Sequence, residues 1–324
     1  MPALTFSKWS PGGNTTLLFP DNGQRPAEQA RLASLALDSS MLGGEQAGFV
    51  NLPQRKLRMA GGEFCVNASR AVGALLAYTA QYSGPDQGVL DGIVPRNGRT
   101  PEAAPPSEHP VRFDEIQVSG WQTPVRLRTR GSAPVWQVEA LLRLPEYSIT
   151  TIEKGAHLVR LPGICHLLLG GATHPLPDDC HAVAAQLRQQ HGLDAEPAAG
   201  VIWWRECQGL LDMLPLVHVR DAGTTFLENA CGSGAMALAL CLARAGSRRS
   251  FSIMQPGGSA LNVRLFAEGG LDMAGIDGPV SLVARGKVWL PDPDVRLGLA
   301  PNPASGMASG LASSLASGMS PTMS

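Results

Sequence analysis

Two stretches of this chain repeat one another's construction, and that repetition limits what the rest can fold into. GGEFCVNASRAVGALLAYTA carries Cys65 and LENACGSGAMALALCLARAG carries Cys231; in each, a cysteine among small residues runs straight into an Ala/Leu-rich segment. Apolar residues recur there at i, i+3 and i+4, which predicts helices, stopped by Gly84-Pro85 in the first copy and by Gly246 in the second. Upstream of each lies an apolar segment broken by a Pro-Gly turn, SPGGNTTLLF around Gly12 and Gly13 and LPGICHLLLG around Pro162 and Gly163. Downstream of each comes a strand pair around a glycine, VSGWQTPVRLRT and MQPGGSALNVRLFAEGG. Strand, turn, strand, cysteine-led helix and hairpin form the unit, and two units predict two similar α+β lobes.

Length agrees with that reading, since 324 residues exceed what one core usually supports and suit two of about 150 each. The boundaries expected are 1–148 for the N-terminal lobe, 149–278 for the C-terminal lobe, and 279–290 returning to the first. From Gly298 the chain reads GLAPNPASGMASGLASSLASGMSPTMS, without a charge, so 291–324 is read as a low-complexity, disordered tail. The Pro-rich segment Arg96 to Pro110 reads as a surface loop. With 26 basic against 27 acidic residues there is no charge excess for a phosphate backbone, and nucleic acid is disfavoured as a partner. No apolar run reaches the ~18–20 residues of a membrane helix, and the start MPALTFSKWSPGG has neither a basic nor an apolar leader region. A cytoplasmic protein is expected, with a small molecule as its partner; a homodimer is left open.

Six cysteines (Cys65, Cys165, Cys180, Cys207, Cys231 and Cys241) are too sparse for a disulfide framework and form no CxxC metal site. Cys65 and Cys231 stand apart because both open a predicted helix among residues that let backbone approach a ligand. Unpaired N–H groups at a helix start stabilise a carboxylate and also lower a thiol's pKa. If the lobes face each other, an α-amino acid fits between: its carboxylate on the N–H groups, its Cα between two sulfurs. One thiolate removes the Cα proton while the opposite thiol donates on the other face, inverting the centre with no cofactor. Cys207 and Cys241, in apolar settings without a glycine-lined approach, read as packing residues. Cys165-His166 and Cys180-His181 fit no common zinc spacing. A cysteine hydrolase built on Cys165-His166 is disfavoured, since neighbours on a strand point to opposite faces.

The residues resemble the diaminopimelate epimerase family over essentially the whole chain before the tail. Its glycine-asparagine turn is similar to Gly12-Gly13-Asn14, and its Gly-x-Asp-Gln segment to Gly43-Gly44-Glu45-Gln46. Its first cysteine motif resembles Cys65-Val66-Asn67-Ala68-Ser69-Arg70, and its second Ala230-Cys231-Gly232-Ser233-Gly234. The resemblance implies two pseudo-symmetric lobes, each a β-sheet wrapped around a central helix, with Cys65 and Cys231 as acid and base and no cofactor or metal. It also implies substrate contacts from Asn14, Gln46, Val66, Asn67, Gly232 and Ser233.

The departures narrow the substrate. The family's glycine after the first cysteine is Val66 here, which keeps an N–H but narrows the approach. Where diaminopimelate epimerases read Gly-Asn-Pro-His, this chain reads Gly163-Ile164-Cys165-His166. The arginine that holds the far carboxylate has only Val219-Arg220-Asp221 as its nearest counterpart, so a different side chain is expected. FSKWSPGGNTTLLF and MAGGEFCVNASRA look most like the histidine racemases of opine-type metallophore pathways, which implies L-histidine to D-histidine conversion. Glu45, Glu63 and Glu228 are carboxylates near the cleft, available to an imidazole or as proton relays, and His166 is a further auxiliary group. The alternatives are diaminopimelate epimerisation, a racemase of proline, hydroxyproline or another amino acid, and a non-catalytic binding member of the fold; binding alone has no use for two matched thiols.

Overall fold

The computed structural model describes residues 3–82, 110–220 and 223–291. The first half runs β1 (Ala3–Pro11), β2 (Thr16–Pro20), α1 (Pro26–Leu37), β3 (Gln46–Asn51), β4 (Lys56–Met59), α2 (Val66–Tyr82), β5 (Arg112–Val118), β6 (Val125–Ser132) and β7 (Val135–Arg143). The second runs β8 (Ser148–Glu153), β9 (Ala156–Leu161), β10 (Ile164–Gly170), α3 (Cys180–Gln190), β11 (Ala198–Cys207), β12 (Leu210–Val219), β13 (Thr224–Leu227), α4 (Gly232–Ala245), β14 (Ser250–Met254), β15 (Ala260–Glu268) and β16 (Leu271–Trp289). The loop expected at 96–110, apart from its last residue, and the tail beyond Pro291 lie outside the described residues.

All sixteen strands belong to one sheet. Its first part closes on itself: β1 to β7 follow in order, β16 pairs with β7, and β16 pairs back to β1 from Ala3 opposite Trp289 to Pro11 opposite Val280. The second part continues from the same β16 through β15, β14, β12, β11, β10 and β9 to β8, with β13 on the flank of β12. From β16 through β1 to β7, the pairings run antiparallel, antiparallel, parallel, antiparallel, parallel, antiparallel, antiparallel. From β8 to β16 they run in the same order. A parallel pair needs a crossover connection, and the helices fall at matched places: α1 and α3 in the first crossover of each half, α2 and α4 in the second.

The duplicated unit is thus visible in the strand order, with two corrections. The halves are not separate sheets, because β16 serves both. The second half stays open: among the described residues β8 pairs with β9 alone, whereas its counterpart in the ring closes onto β7. The Cys65-led and Cys231-led segments are α2 and α4, and Gly246 caps the latter. Every residue of α2 from Val66 to Ala77 is buried, and α4 is buried from Gly234 to Cys241. A helix packed on all sides must be apolar and narrow, which is what the Ala/Gly/Leu composition supplies. A Cβ at Gly73 would stand 2.9 Å from the Val138 side chain, so the strand comes that close only to glycine. Arg70, fully buried, ties α2 to the ring by donating to the carbonyls of Val138 (3.1 Å) and Pro279 (3.0 Å).

The sequence reading did not include α1 and α3, which lie on the other face of the sheet. Helix α1 packs Ala33 and Ala36 on Phe19 and Phe49, and α3 packs Ala184 with Cys165, Leu167 and Leu169. On β10, Leu168 joins the core around α4 while Cys165 and Leu167 face α3. That alternation turns His166 toward α4 and away from its neighbour Cys165. No helix among the described residues is long and apolar enough to cross a membrane.

Candidate active site

The two cysteines occupy the same position of the same structure. Helix α2 begins at Val66 and α4 at Gly232, so each sulfur stands where an N-cap oxygen usually does. Cys65 Sγ accepts from Ala68 N at 3.3 Å and Cys231 Sγ from Gly234 N at 3.4 Å. The N–H groups of the first two residues of each helix, Val66 and Asn67 on one side and Gly232 and Ser233 on the other, have no acceptor within their helix. The two helix starts abut: a Cβ on Gly232 would lie 2.8 Å from Val66 Cβ, and Asn67 Nδ2 donates to Ala230 O at 2.8 Å. The narrowing expected from Val66 is therefore met by a glycine directly opposite.

A cavity of about 430 Å³ opens at this junction, within the range that encloses small ligands. It is lined by Cys65, Val66, Asn67, Gly232 and Ser233, by Asn14, Glu45 and Gln46 from the start of the first half, and by Glu228. Cys231 and His166 are not on its wall; both are buried behind Ser233. The Ser233 hydroxyl lies 3.1 Å from His166 Nε2 and 3.6 Å from Cys231 Sγ, so it connects them to the cavity. His166 Nδ1 has no partner, and a Cβ at Gly200 would stand 2.3 Å from it. Gly200 thus makes room for the ring, and burial pushes its pKa down to about 3, leaving a neutral imidazole.

On the other side, the Cys65 thiol donates to Gln46 Oε1 at 2.9 Å. Gln46 Nε2 in turn donates to Asn14 Oδ1 at 2.7 Å and to Thr16 Oγ1 at 2.8 Å. Asn14 Nδ2 donates to Glu45 Oε2 at 2.9 Å, while Glu45 Oε1 takes Thr15 N (3.2 Å) and Asn229 Nδ2 (2.9 Å). Glu45 therefore bridges the first half to the segment that leads into Cys231.

Burial overrides the helix ends at both sulfurs. It pushes Cys65 up to about 12 and Cys231 well above its usual value, and the nearby Glu228 carboxylate adds to both shifts. The lowering anticipated from helix N–H groups is present, through Ala68 and Gly234, but it is the smaller effect. Glu228 itself is pushed up to about 7 by burial, against a hydrogen bond from Cys231 that favours its charge. The site thus holds two neutral thiols and a Glu228 carboxylate raised toward neutrality.

A family profile described as the histidine racemase CntK N-terminal domain matches residues 3–91 and 106–289. The chain belongs to this family. A histidine racemase of Fusobacterium nucleatum subsp. nucleatum is 26% identical over 291 residues, which cover 89% of this chain and 97% of the relative. A histidine racemase of Staphylococcus aureus (strain Mu50) is 23% identical over 301 residues, 89% of this chain and 98% of the relative. The fold is similar to that of a hydroxyproline epimerase from Agrobacterium vitis with bound trans-4-hydroxy-L-proline, at a TM-score of 0.55 and 12% identity over 90% of this chain and 94% of that one. The protein is an isomerase, an amino-acid racemase or epimerase.

The remaining cysteines of this racemase are scattered. Cys241 is buried in α4 as expected, but Cys207 is exposed, because β11 ends there in the turn Gln208-Gly209 and leaves the core. Cys165 packs under α3 and Cys180 starts that helix. Among the described residues no three His, Cys, Asp or Glu side chains are grouped to hold a metal ion. Arg220, nearest in sequence to the family's missing arginine, donates to Ala195 O at 2.8 Å. Two further groups at the site went unread in the sequence. Gln255 Oε1 takes the Cys231 N–H at 2.9 Å, and Trp121 lines the cavity stacked on Phe64. Both arrive from hairpins that the sequence reading treated only as strand pairs.

Proposed function

We propose that this isomerase interconverts L- and D-histidine by proton transfer between Cys65 and Cys231. The observation that supports it is the matched capping: two sulfurs cap two helix starts in the same way, and Val66, Asn67, Gly232 and Ser233 of those starts line a single cavity. The substrate carboxylate lies on N–H groups of Val66, Asn67, Gly232 and Ser233, where the enolate-like charge also develops. The Cα–H bond breaks toward one thiolate, its electron pair stays on the substrate, and the opposite thiol supplies a proton to the other face. Glu228 accepts the Cys231 proton to create the thiolate. An α-ammonium arriving beside the sulfurs favours that charge, which burial alone opposes. The histidine assignment draws on the family and on the two histidine racemase relatives.

Incubation with single amino acids in deuterated water tests it. Loss of the Cα proton signal of histidine, with formation of the other enantiomer, is the expected result. Exchange of other amino acids without histidine would remove the substrate assignment, and racemisation by a Cys231→Ala protein would remove the two-thiol mechanism.

A further inference from the structure

The cavity has a wall that proton transfer does not use. Glu63 and Phe64, immediately ahead of Cys65, line it together with Trp121 from the turn between β5 and β6. Phe64 and Trp121 stack with ring centroids 4.2 Å apart at 24°. Ser119 ties the strip beside them in place: its Oγ donates to Glu63 O at 2.9 Å and receives Met59 N at 2.9 Å. Gly120, at φ +72°, is pressed so closely on this strip that a Cβ there would lie 2.4 Å from Phe64 N. The indole Nε1 of Trp121 is buried and has no partner among the described residues.

Three carboxylates border the cavity, and their surroundings separate them. Glu45 is held by three donors, Thr15 N, Asn14 Nδ2 and Asn229 Nδ2. Glu228 is engaged with Cys231. Among the described residues Glu63 takes hydrogen bonds from backbone, at Gly61 and its own N–H, with Arg58 within electrostatic reach. Leu161, Ile164 and Phe226, also on its lining, are apolar and offer a polar group no side-chain partner.

From this we infer that Glu63, with the Phe64–Trp121 stack, is the specificity-determining subsite for the substrate side chain, which it selects as a flat ring carrying an N–H donor. The stack presents an aromatic surface to the ring, and the Glu63 carboxylate accepts from its N–H. The inference rests on the histidine reading, and it gives the imidazole a place that neither cysteine motif supplies.

The test compares L-histidine with β-(2-thienyl)-L-alanine, a five-membered aromatic ring without N–H, in the wild-type protein and in Glu63→Gln, Glu63→Asp and Trp121→Leu. The preference is the ratio of kcat/KM values for Cα-proton exchange. Glu63→Gln is expected to lower the preference for histidine by about 10- to 100-fold, mainly through KM, the loss usual when a substrate N–H loses its acceptor. Glu63→Asp should restore part of it, and Trp121→Leu should weaken both substrates and alter the ratio less. An unchanged ratio in Glu63→Gln overturns the subsite, as does an equal loss for both substrates. A wild-type protein that exchanges thienylalanine but never histidine instead overturns the histidine reading itself.

Discussion

Cys65 and Cys231 share a backbone and differ in everything around it. Cys65 is half-buried on the cavity wall, and its thiol donates to the neutral amide of Gln46. Cys231 is buried behind Ser233, hydrogen-bonded to the titratable Glu228 and connected through Ser233 to His166. The duplicated architecture supplies two equivalent positions, and the side chains then make them unequal. A proton can leave Cys231 for a carboxylate, whereas Gln46 cannot accept one. Under the proposed mechanism Cys231, with a carboxylate beside it to take its proton, serves as base and Cys65, held by an amide, as acid, even though burial and Glu228 keep the resting Cys231 thiol neutral. Under that proposal turnover in the opposite direction begins from a Cys65 thiolate, whose hydrogen-bond partner is the Gln46 amide rather than a carboxylate.

The largest effect that breaks this comparison comes from the sulfurs themselves. Alanine at Cys65 or at Cys231 is expected to lower racemisation by about 1,000-fold or more, because a single remaining thiol returns the proton to the face it left. Chiral chromatography of histidine incubated with each variant measures it. Either variant retaining more than a tenth of the wild-type rate contradicts a mechanism that needs both.

Next in size is the carboxylate that distinguishes the two sides. Glu228 can accept a proton only when ionised, and its pKa is pushed up to about 7. Activity should therefore rise as pH increases through about 7 and fall away below it, in the direction set by the base form. Glu228→Gln should reduce kcat by about 100-fold and remove that rise. A rise that persists unchanged in Glu228→Gln would assign the titration to another group.

These partners show where the sequence was informative. Cys65 and Cys231 were legible because each opens a helix among small residues, whereas Asn14, Gln46 and Asn67 were named only through the family resemblance of their short motifs; all but Cys231 line the one cavity. Trp121 and Gln255 were not, because they reach the site by strand pairing across long separations. The thiol pKa shifts were read with the wrong sign for the same reason: helix N–H groups are visible in a sequence, while burial is set by how the rest of the chain closes over them. Helix α3 did announce itself, with Asp179 accepting from Ala182 N at 2.9 Å and Gly192 at φ +66° beyond its end. Neither it nor its counterpart α1 was part of the unit as read from the sequence, so that reading gave no reason to look there.

A smaller effect is expected at the contact that joins the halves. Gly232→Ala places a methyl group 2.8 Å from Val66 Cβ and must push one helix start off the other, an overpacking cost of about 1–3 kcal/mol. We expect a rate loss of about tenfold, since the N–H groups of both helices would no longer converge. Val66→Gly in the same protein should recover most of it, moving the glycine from α4 to α2. Failure of the double variant to recover, in thermal unfolding and in rate alike, would show that the two positions do not act through each other.

The smallest effect belongs to the cysteines that have no counterpart in the other half. Cys207 is exposed at the end of β11, and its replacement by alanine removes no buried contact. Cys241 is buried, with burial pushing its thiol up to about 11, and it lies on the same helix as Cys231 but toward the opposite end. At a rise of ~1.5 Å per residue the ten steps from one to the other span about 15 Å, too far for one sulfur to act on the other's proton. Cys241→Ala should cost about 1 kcal/mol of stability through lost packing and leave the rate within about twofold. Measuring both variants by thermal unfolding and by histidine racemisation separates the two roles. A Cys241→Ala protein of normal stability with a rate reduced tenfold would mean that the far end of α4 sets the position of Cys231, and that the asymmetry between the two thiols extends along the helix rather than residing in Glu228, Ser233 and His166.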